Sequence, residues 1–335
     1  MMNSMLPAAC IEYCCTDVRV LPACRAPGHE PDRAQLLVTM SDMVAGLFLS
    51  IFSAFMFAVS NMFIVRGMSS GHMSAGVLTT ILFSSLVIFI VSLATGQFFD
   101  IWKLGVYPAL LFMLAGVLNF ILGRGLNYAG MILLGPSRGS SITSSQSLFA
   151  VFFGILLISE PLTLLAGAGV ILAFFGTVLV TTGNDRGKKL DSRGLLFALL
   201  AAIFVGMSVV VIRAADLRSP LPVDGALVAY LTAGLFYFLL NLVRTGSLRG
   251  VIAGNRKAML AVAGTASGLA QSSRFVALLV SPVVLVAPII TANPLFTMLL
   301  SYMTMRGRET LGLHLVFGAI LIVVGVAVIS YTLGI

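Results

Sequence analysis

Charge is what this sequence has least of. Only 10% of its 335 residues are Asp, Glu, Lys or Arg, against about a quarter in an ordinary soluble domain. Between Met43 and Thr182 the charged residues are Arg66, Asp100, Lys103, Arg124, Arg138 and Glu160. Cysteine stops at Cys24, tryptophan occurs once, at Trp102, and the histidines are His29, His72 and His314. The body of the chain therefore has no material for a Cys/His metal cluster, and no Ser/His/Asp set or phosphate-cradling glycine loop appears. The reading is a protein without enzyme activity, cofactor or resident metal. The net charge of +8 comes without a basic stripe interleaved with aromatics, so no nucleic-acid partner is expected.

What is there is apolar. Hydrophobic residues make up 59% of the chain and the mean hydropathy is +1.07. Ten apolar segments can be marked, at 44–65, 75–96, 105–128, 134–158, 163–182, 195–214, 225–243, 258–280, 283–304 and 311–333. An apolar helix needs roughly 20 residues to cross a bilayer, and these segments meet that length. Continuous runs, rather than short alternating ones, favour helices over a barrel. The fold class expected is an all-α polytopic membrane protein of ten transmembrane helices in a cell membrane, inner or plasma. Residues 1–42 differ: they carry Cys10, Cys14, Cys15 and Cys24 among Asp, Glu, Arg and Pro, with no signal-peptide pattern. They are expected to be a disordered extension, and Met40 and Met43 offer alternative starts.

The second half repeats the first. Glu160-Pro161-Leu162-Thr163 opens a segment with Gly169 and Gly176, and Glu309-Thr310-Leu311-Gly312 opens one with Gly318 and Gly325, nine and sixteen residues after the glutamate in each case. Ser144 to Phe149 is echoed by Thr291 to Phe296, an offset of 296 − 149 = 147 residues. The basic stretch 184–194 separates five segments at 43–183 from five at 195–335. A unit with an odd number of spans ends on the side opposite its start, so its copy is inserted upside down. The two halves are expected to be inverted-topology five-helix repeats, with Glu160 and Glu309 on opposite membrane faces.

These residues resemble paired EamA domains of the drug/metabolite transporter superfamily: Phe149 through Glu160 to Gly176 in one half, Phe296 through Glu309 to Gly325 in the other, over residues 44–333. The resemblance implies a secondary transporter that moves a small organic metabolite by alternating access. A broad-specificity drug or metabolite exporter is the alternative within that class. A membrane-embedded enzyme and a non-transporting scaffold are the alternatives outside it. The partners implied are a solute and the lipid bilayer, with the chain a monomer or weak dimer.

Polar residues inside membrane spans are expensive and are functional candidates by default. Arg124, Asn127 and Tyr128 share one helix face, and so do Ser267, Gln271 and Arg274. Under the 147-residue offset Arg124 maps to Gln271 and Asn127 to Arg274. Each half thus presents one guanidinium and one amide. Ser145 and Gln146 in the fourth segment and Asn293 in the ninth join the candidate substrate contacts, while Pro288 and Pro294 interrupt the ninth segment's ladder. No Asp or Glu falls inside the ten marked segments. Arginine with no carboxylate beside it needs an anion or water, and its planar fork suits carboxylate or phosphate. The solute expected is therefore anionic or zwitterionic. Arg138, Glu160 and Glu309 are expected as gate or structural residues, and snorkelling or ion pairing stands beside substrate contact for Arg124 and Arg274. Basic residues crowd the connections after odd-numbered segments, which puts those in the cytoplasm and both termini outside, whereas members of the resembled superfamily are usually drawn with cytoplasmic termini.

Overall fold

A computed structural model describes residues 33–67, 73–134, 142–181, 191–245, 257–304 and 313–333. The described residues are helical almost throughout, with no strand among them. Met1–Met40 is a unit by itself, of which the backbone is described only from Arg33, and Ser41–Ile335 is the second unit. The extension's four cysteines lie outside the described residues.

The helices are α1 (Arg33–Gly67), α2 (Met73–Ala94), α3 (Val106–Gly116), α4 (Arg124–Leu134), α5 (Gln146–Ile158), α6 (Leu164–Thr181), α7 (Ser192–Asp216), α8 (Pro222–Thr245), α9 (Lys257–Val280), α10 (Val283–Thr291), α11 (Asn293–Thr304) and α12 (Leu313–Thr332). A 3₁₀ segment, Gln97–Leu104, follows α2, and a π-turn, Val117–Gly123, joins α3 to α4. Five stretches are long and apolar enough to cross a membrane: Ser41–Ile64, Ala75–Ala94, Val106–Asn127, Ser192–Asp216 and Pro222–Val243. Gln146–Ile158, Leu164–Val180, Val283–Thr297 and Val316–Thr332 are apolar but shorter. The eighth segment forms α9, whose polar stripe of Ser267, Gln271, Ser272 and Arg274 is buried within the bundle.

Two sequence expectations change here. The fourth and ninth segments are not single helices. The chain turns at Ser144-Ser145 before α5, and again at Ala292 between α10 and α11. The turn residues Ser145 and Ala292 are 292 − 145 = 147 residues apart, the repeat offset. Pro288 sits inside α10 without ending it; the break comes four residues later, at the residue two before Pro294. Second, carboxylates do lie inside helices. α7 runs on to Asp216, only 2% exposed, and α8 begins early enough to include Asp224, fully buried. An apolar window stops at the first acid, but a helix continues wherever its backbone stays paired and packed.

Small residues decide where helices touch. A Cβ added at Gly169 would stand 2.7 Å from the Gly325 carbonyl oxygen, and one at Gly176 would stand 2.7 Å from that of Gly318. The reverse contacts are 2.6 Å from Gly325 to Gly169 and 2.8 Å from Gly318 to Gly176. The earlier glycine of α6 therefore faces the later one of α12, and the converse, so these two helices cross antiparallel. The two related glycine pairs form a reciprocal contact, as a pseudo-two-fold axis requires. Elsewhere, Gly264 and Gly268 of α9 lie on the Thr80 and Ser84 backbone of α2, while Gly116 of α3 lies on Ala229 of α8. Close backbone approach through small residues is how helices associate where lipid removes the hydrophobic drive.

A cavity among four helices and a clasp above it

Close packing at Gly206 of α7 borders the site. A Cβ there would lie 2.7 Å from the Gln146 carbonyl oxygen, so α7 presses directly on the first turn of α5. Beside that contact is a cavity of about 30 Å³ lined by Gln146 and Ala150 of α5, Val205 and Val209 of α7, Arg274 of α9, and Val286, Ala287, Ile290 and Thr291 of α10. One water needs roughly 10–15 Å³ on this measure, so about two waters fit. A metabolite could enter only after the helices part. Both broken segments border the cavity at their breaks, through Gln146 and Thr291.

Arg274 is the charge in this cavity. It is 5% exposed, and among the described residues no carboxylate lies within ion-pairing distance of it. Its electrostatic neighbour is Tyr230 of α8, whose Oη lies 3.1 Å from Ser267 Oγ. One turn back, Gln271 is 2% exposed and its Oε1 has no hydrogen-bond partner among the described residues. Burying a guanidinium without an anion is unfavourable unless the site is built to receive one. Tyr230 also stacks at 4.4 Å, tilted, on Phe120 of the π-turn, and Phe120 carries the Arg124 guanidinium 5.1 Å from its ring centroid. The two arginines are thus linked through an aromatic pair, while Arg124 is outside the cavity lining.

The other expected site residues are placed individually. Asn127 Oδ1 accepts a 2.8 Å hydrogen bond from Thr143. Ser145 Oγ donates to the Ile142 carbonyl at the break. Asn293 Nδ2 donates to the Ile290 carbonyl, and its Oδ1 accepts from Asn61 at 3.4 Å. That last contact joins α1 to the start of α11. The side chain of Tyr128, and all of Arg138 and Glu309, lie outside the described residues.

Glu160 is placed by its turn. Ser159 adopts a left-handed conformation (φ 53°) at the end of α5, and the Glu160 N–H donates back to the Gly154 carbonyl at 3.2 Å. Pro161 cannot extend the helix, so the chain turns and aims the carboxylate inward. Its partner is Arg213 of α7, with Nε donating to Oε1 at 3.3 Å; Oε2 accepts the Val283 N–H of α10 at 2.9 Å. Arg213 Nη1 also donates to the carbonyls of Leu278 and Leu279, the latter at 2.7 Å, near the end of α9. Burial pushes the Glu160 carboxyl up from its ordinary range, while the Arg213 charge and the Val283 N–H act against that. The clasp therefore ties together the four segments that surround the cavity: α5 through Glu160, α7 through Arg213, α9 through its carbonyls and α10 through Val283. The sequence analysis names no partner for Glu160; the structure supplies Arg213, which the 147-residue offset relates to Arg66.

Asp216 and Asp224 are the residues that sequence reading missed. Asp224 accepts a hydrogen bond from Ser92 of α2, and the adjacent Val223 N–H donates to Gln97 at 3.1 Å. Asp216 lies one turn beyond Arg213, with neither oxygen hydrogen-bonded among the described residues. Only their position just past an apolar window marked them. Among the described residues no three His, Cys, Asp or Glu gather to hold a metal.

Comparison with known proteins agrees with the architecture. No curated protein matches the sequence. Among solved structures, one described only as the crystal structure of a protein is similar with a TM-score of 0.70 at 18% identity, covering 88% of this chain and 97% of its own. That likeness is one of fold. The model of the EamA-like transporter family matches twice, over residues 44–182 and 192–331, one match on each side of the basic stretch. With helices long and apolar enough to cross a membrane several times, and two such matches covering most of its length, this membrane-spanning chain belongs to the EamA-like transporter family.

Proposed function

We propose that the protein is a ten-span secondary transporter of a cell membrane, built from two inverted five-helix repeats, that carries a small organic anion or zwitterion by alternating access. The shorter apolar helices complete the count: α5 with the residues before it, α6, α10 with α11, and α12. α9 supplies the remaining span, its polar stripe turned into the bundle. The reciprocal antiparallel crossing of α6 and α12 supports the inversion. The observation that carries the solute class is Arg274, buried at the cavity wall with no carboxylate paired to it among the described residues. An anionic group of the solute supplies the missing charge.

In this reading Arg274 and Gln146 meet the solute first. Gln271 and Asn293 orient it from the two flanking turns, and Arg124, Asn127, Tyr128 and Ser145 reach it as the halves rock. Glu160 holds one end closed; Arg138 and Glu309 serve the opposite end. The partners are the solute and the bilayer, and the chain works as a monomer or weak dimer. Flux into proteoliposomes across a panel of amino acids, carboxylates and organic phosphates tests this. Arg274→Gln is expected to abolish uptake of the transported anion while leaving thermal stability unchanged or raised. If no solute of the panel moves, or if Arg274→Gln transports the same anion as well as the unaltered chain, the reading fails.

A further inference from the structure

Asp216 has no part in the clasp that it adjoins. It lies at i+3 from Arg213 on α7, on the same helix face, and among the described residues Arg213 is the cation that acts on it electrostatically. Yet the Arg213 hydrogen bonds run to Glu160 and to the carbonyls of Leu278 and Leu279. One guanidinium thus faces two buried carboxylates and bonds to one of them. Asp216 is 2% exposed and neither of its oxygens finds a donor among the described residues. An ionised carboxylate held that way costs several kcal/mol, far more than a neutral carboxyl does.

We propose that Asp216 is a proton-binding site that controls the Glu160–Arg213 clasp. Protonated, Asp216 is neutral and leaves Arg213 to Glu160, so the four segments stay joined over the cavity. When its proton passes to water, Asp216 becomes a second anion competing for the same guanidinium. The surplus negative charge is relieved by opening this end of the bundle to water, which frees Glu160 from Arg213 and from the Val283 N–H. Among the described residues, the other charged groups near this end do not replace Arg213. Arg218 lies 5.0 Å over the Tyr107 ring of α3, Asp100 and Lys103 pair with each other at 2.7 Å, and Asp224 of α8 is held by Ser92. Arg274 lines the cavity, and Tyr230 is its electrostatic neighbour. A proton needs no further ligands, whereas a metal cation would need several oxygens, and among the described residues no cluster of acidic side chains offers them.

The inference rests on the alternating-access reading for its consequence, but not for its test. The full chain in lipid nanodiscs is titrated by infrared difference spectroscopy. The buried-carboxyl C=O band is expected at neutral pH, lost as pH rises, absent from Asp216→Asn and shifted in Asp216→Glu. In parallel, Val209→Cys, with Cys10, Cys14, Cys15 and Cys24 changed to serine, reports the accessibility of the cavity to a small thiol reagent. Labelling, corrected at each pH for the thiolate fraction of the reporter cysteine, is expected to rise about tenfold per pH unit while one proton is being lost. That pH dependence should vanish at a low rate in Asp216→Asn and at a high rate in Glu160→Gln. Exchanging sodium for potassium should change nothing. An ionised Asp216 at neutral pH, a pH step retained in Asp216→Asn, or a step that follows sodium overturns the proposal. A failed flux panel beside an intact proton step would refute the transport reading alone.

Discussion

Gly176→Ala is the change most directly worked out from the fold. Its new methyl would meet the Gly318 carbonyl oxygen at 2.7 Å and Ile322 Cγ1 at 2.8 Å. Comfortable carbon contacts begin near 3.5 Å, so α6 and α12 must separate by about 0.8 Å at the crossing. A gap of that size forfeits a quarter to a half of the dispersion energy along the seam, and overpacking of this kind costs about 1–3 kcal/mol. Alanine's better helix propensity returns up to about 1 kcal/mol. Gly167→Ala isolates that gain, because its methyl would meet only Leu162 at 3.6 Å. In equilibrium unfolding of the purified protein in mixed micelles, Gly176→Ala should lose stability while Gly167→Ala holds or gains. Gly169→Ala should behave like Gly176→Ala. The double variant should cost less than the two losses together, because helices already forced apart offer the second methyl more room. A Gly176→Ala protein as stable as Gly167→Ala would refute the reciprocal crossing.

Two further outcomes follow from the polar groups. Glu160→Gln or Arg213→Gln alone should cost about 3–5 kcal/mol, since each leaves the opposite charge buried without its partner, and the double variant should recover part of that loss; additive losses in the same unfolding assay would show that the pair is not coupled. Gln271→Leu should be neutral or stabilising by about 1 kcal/mol, because its Oε1 is buried without a donor, while solute binding weakens. A marked loss of stability there would mean the amide has a structural partner.

Much of the architecture was legible in the residues. The apolar segments, the repeat and its glycines are local patterns; the break that the fourth and ninth segments share was not read from them, although it obeys the same 147-residue offset. The cavity was legible in part. Arg274 and Gln146 do line one space, but Arg124 is outside its lining and is linked to Arg274 through Phe120 and Tyr230; the π-turn that precedes Arg124 is not marked by residue spacing. Glu160 was visible as a repeated motif, while its partner Arg213 stands 53 residues away and no local pattern joins the two. Asp216 and Asp224 were invisible as intramembrane acids, since a hydropathy window ends where charge begins.

By itself, then, the sequence determined that this chain lives in lipid, is helical and is built twice, because scarcity of charge and periodic small residues leave a bilayer no other structure to accept. Only the tertiary structure decided which buried charges are paired. Among the described residues, Arg213 has Glu160, Arg274 has no carboxylate, and Asp216 stands beside a guanidinium already engaged. Ion pairing depends on distances of a few ångströms between segments far apart in the chain, and no pattern along the chain encodes those distances.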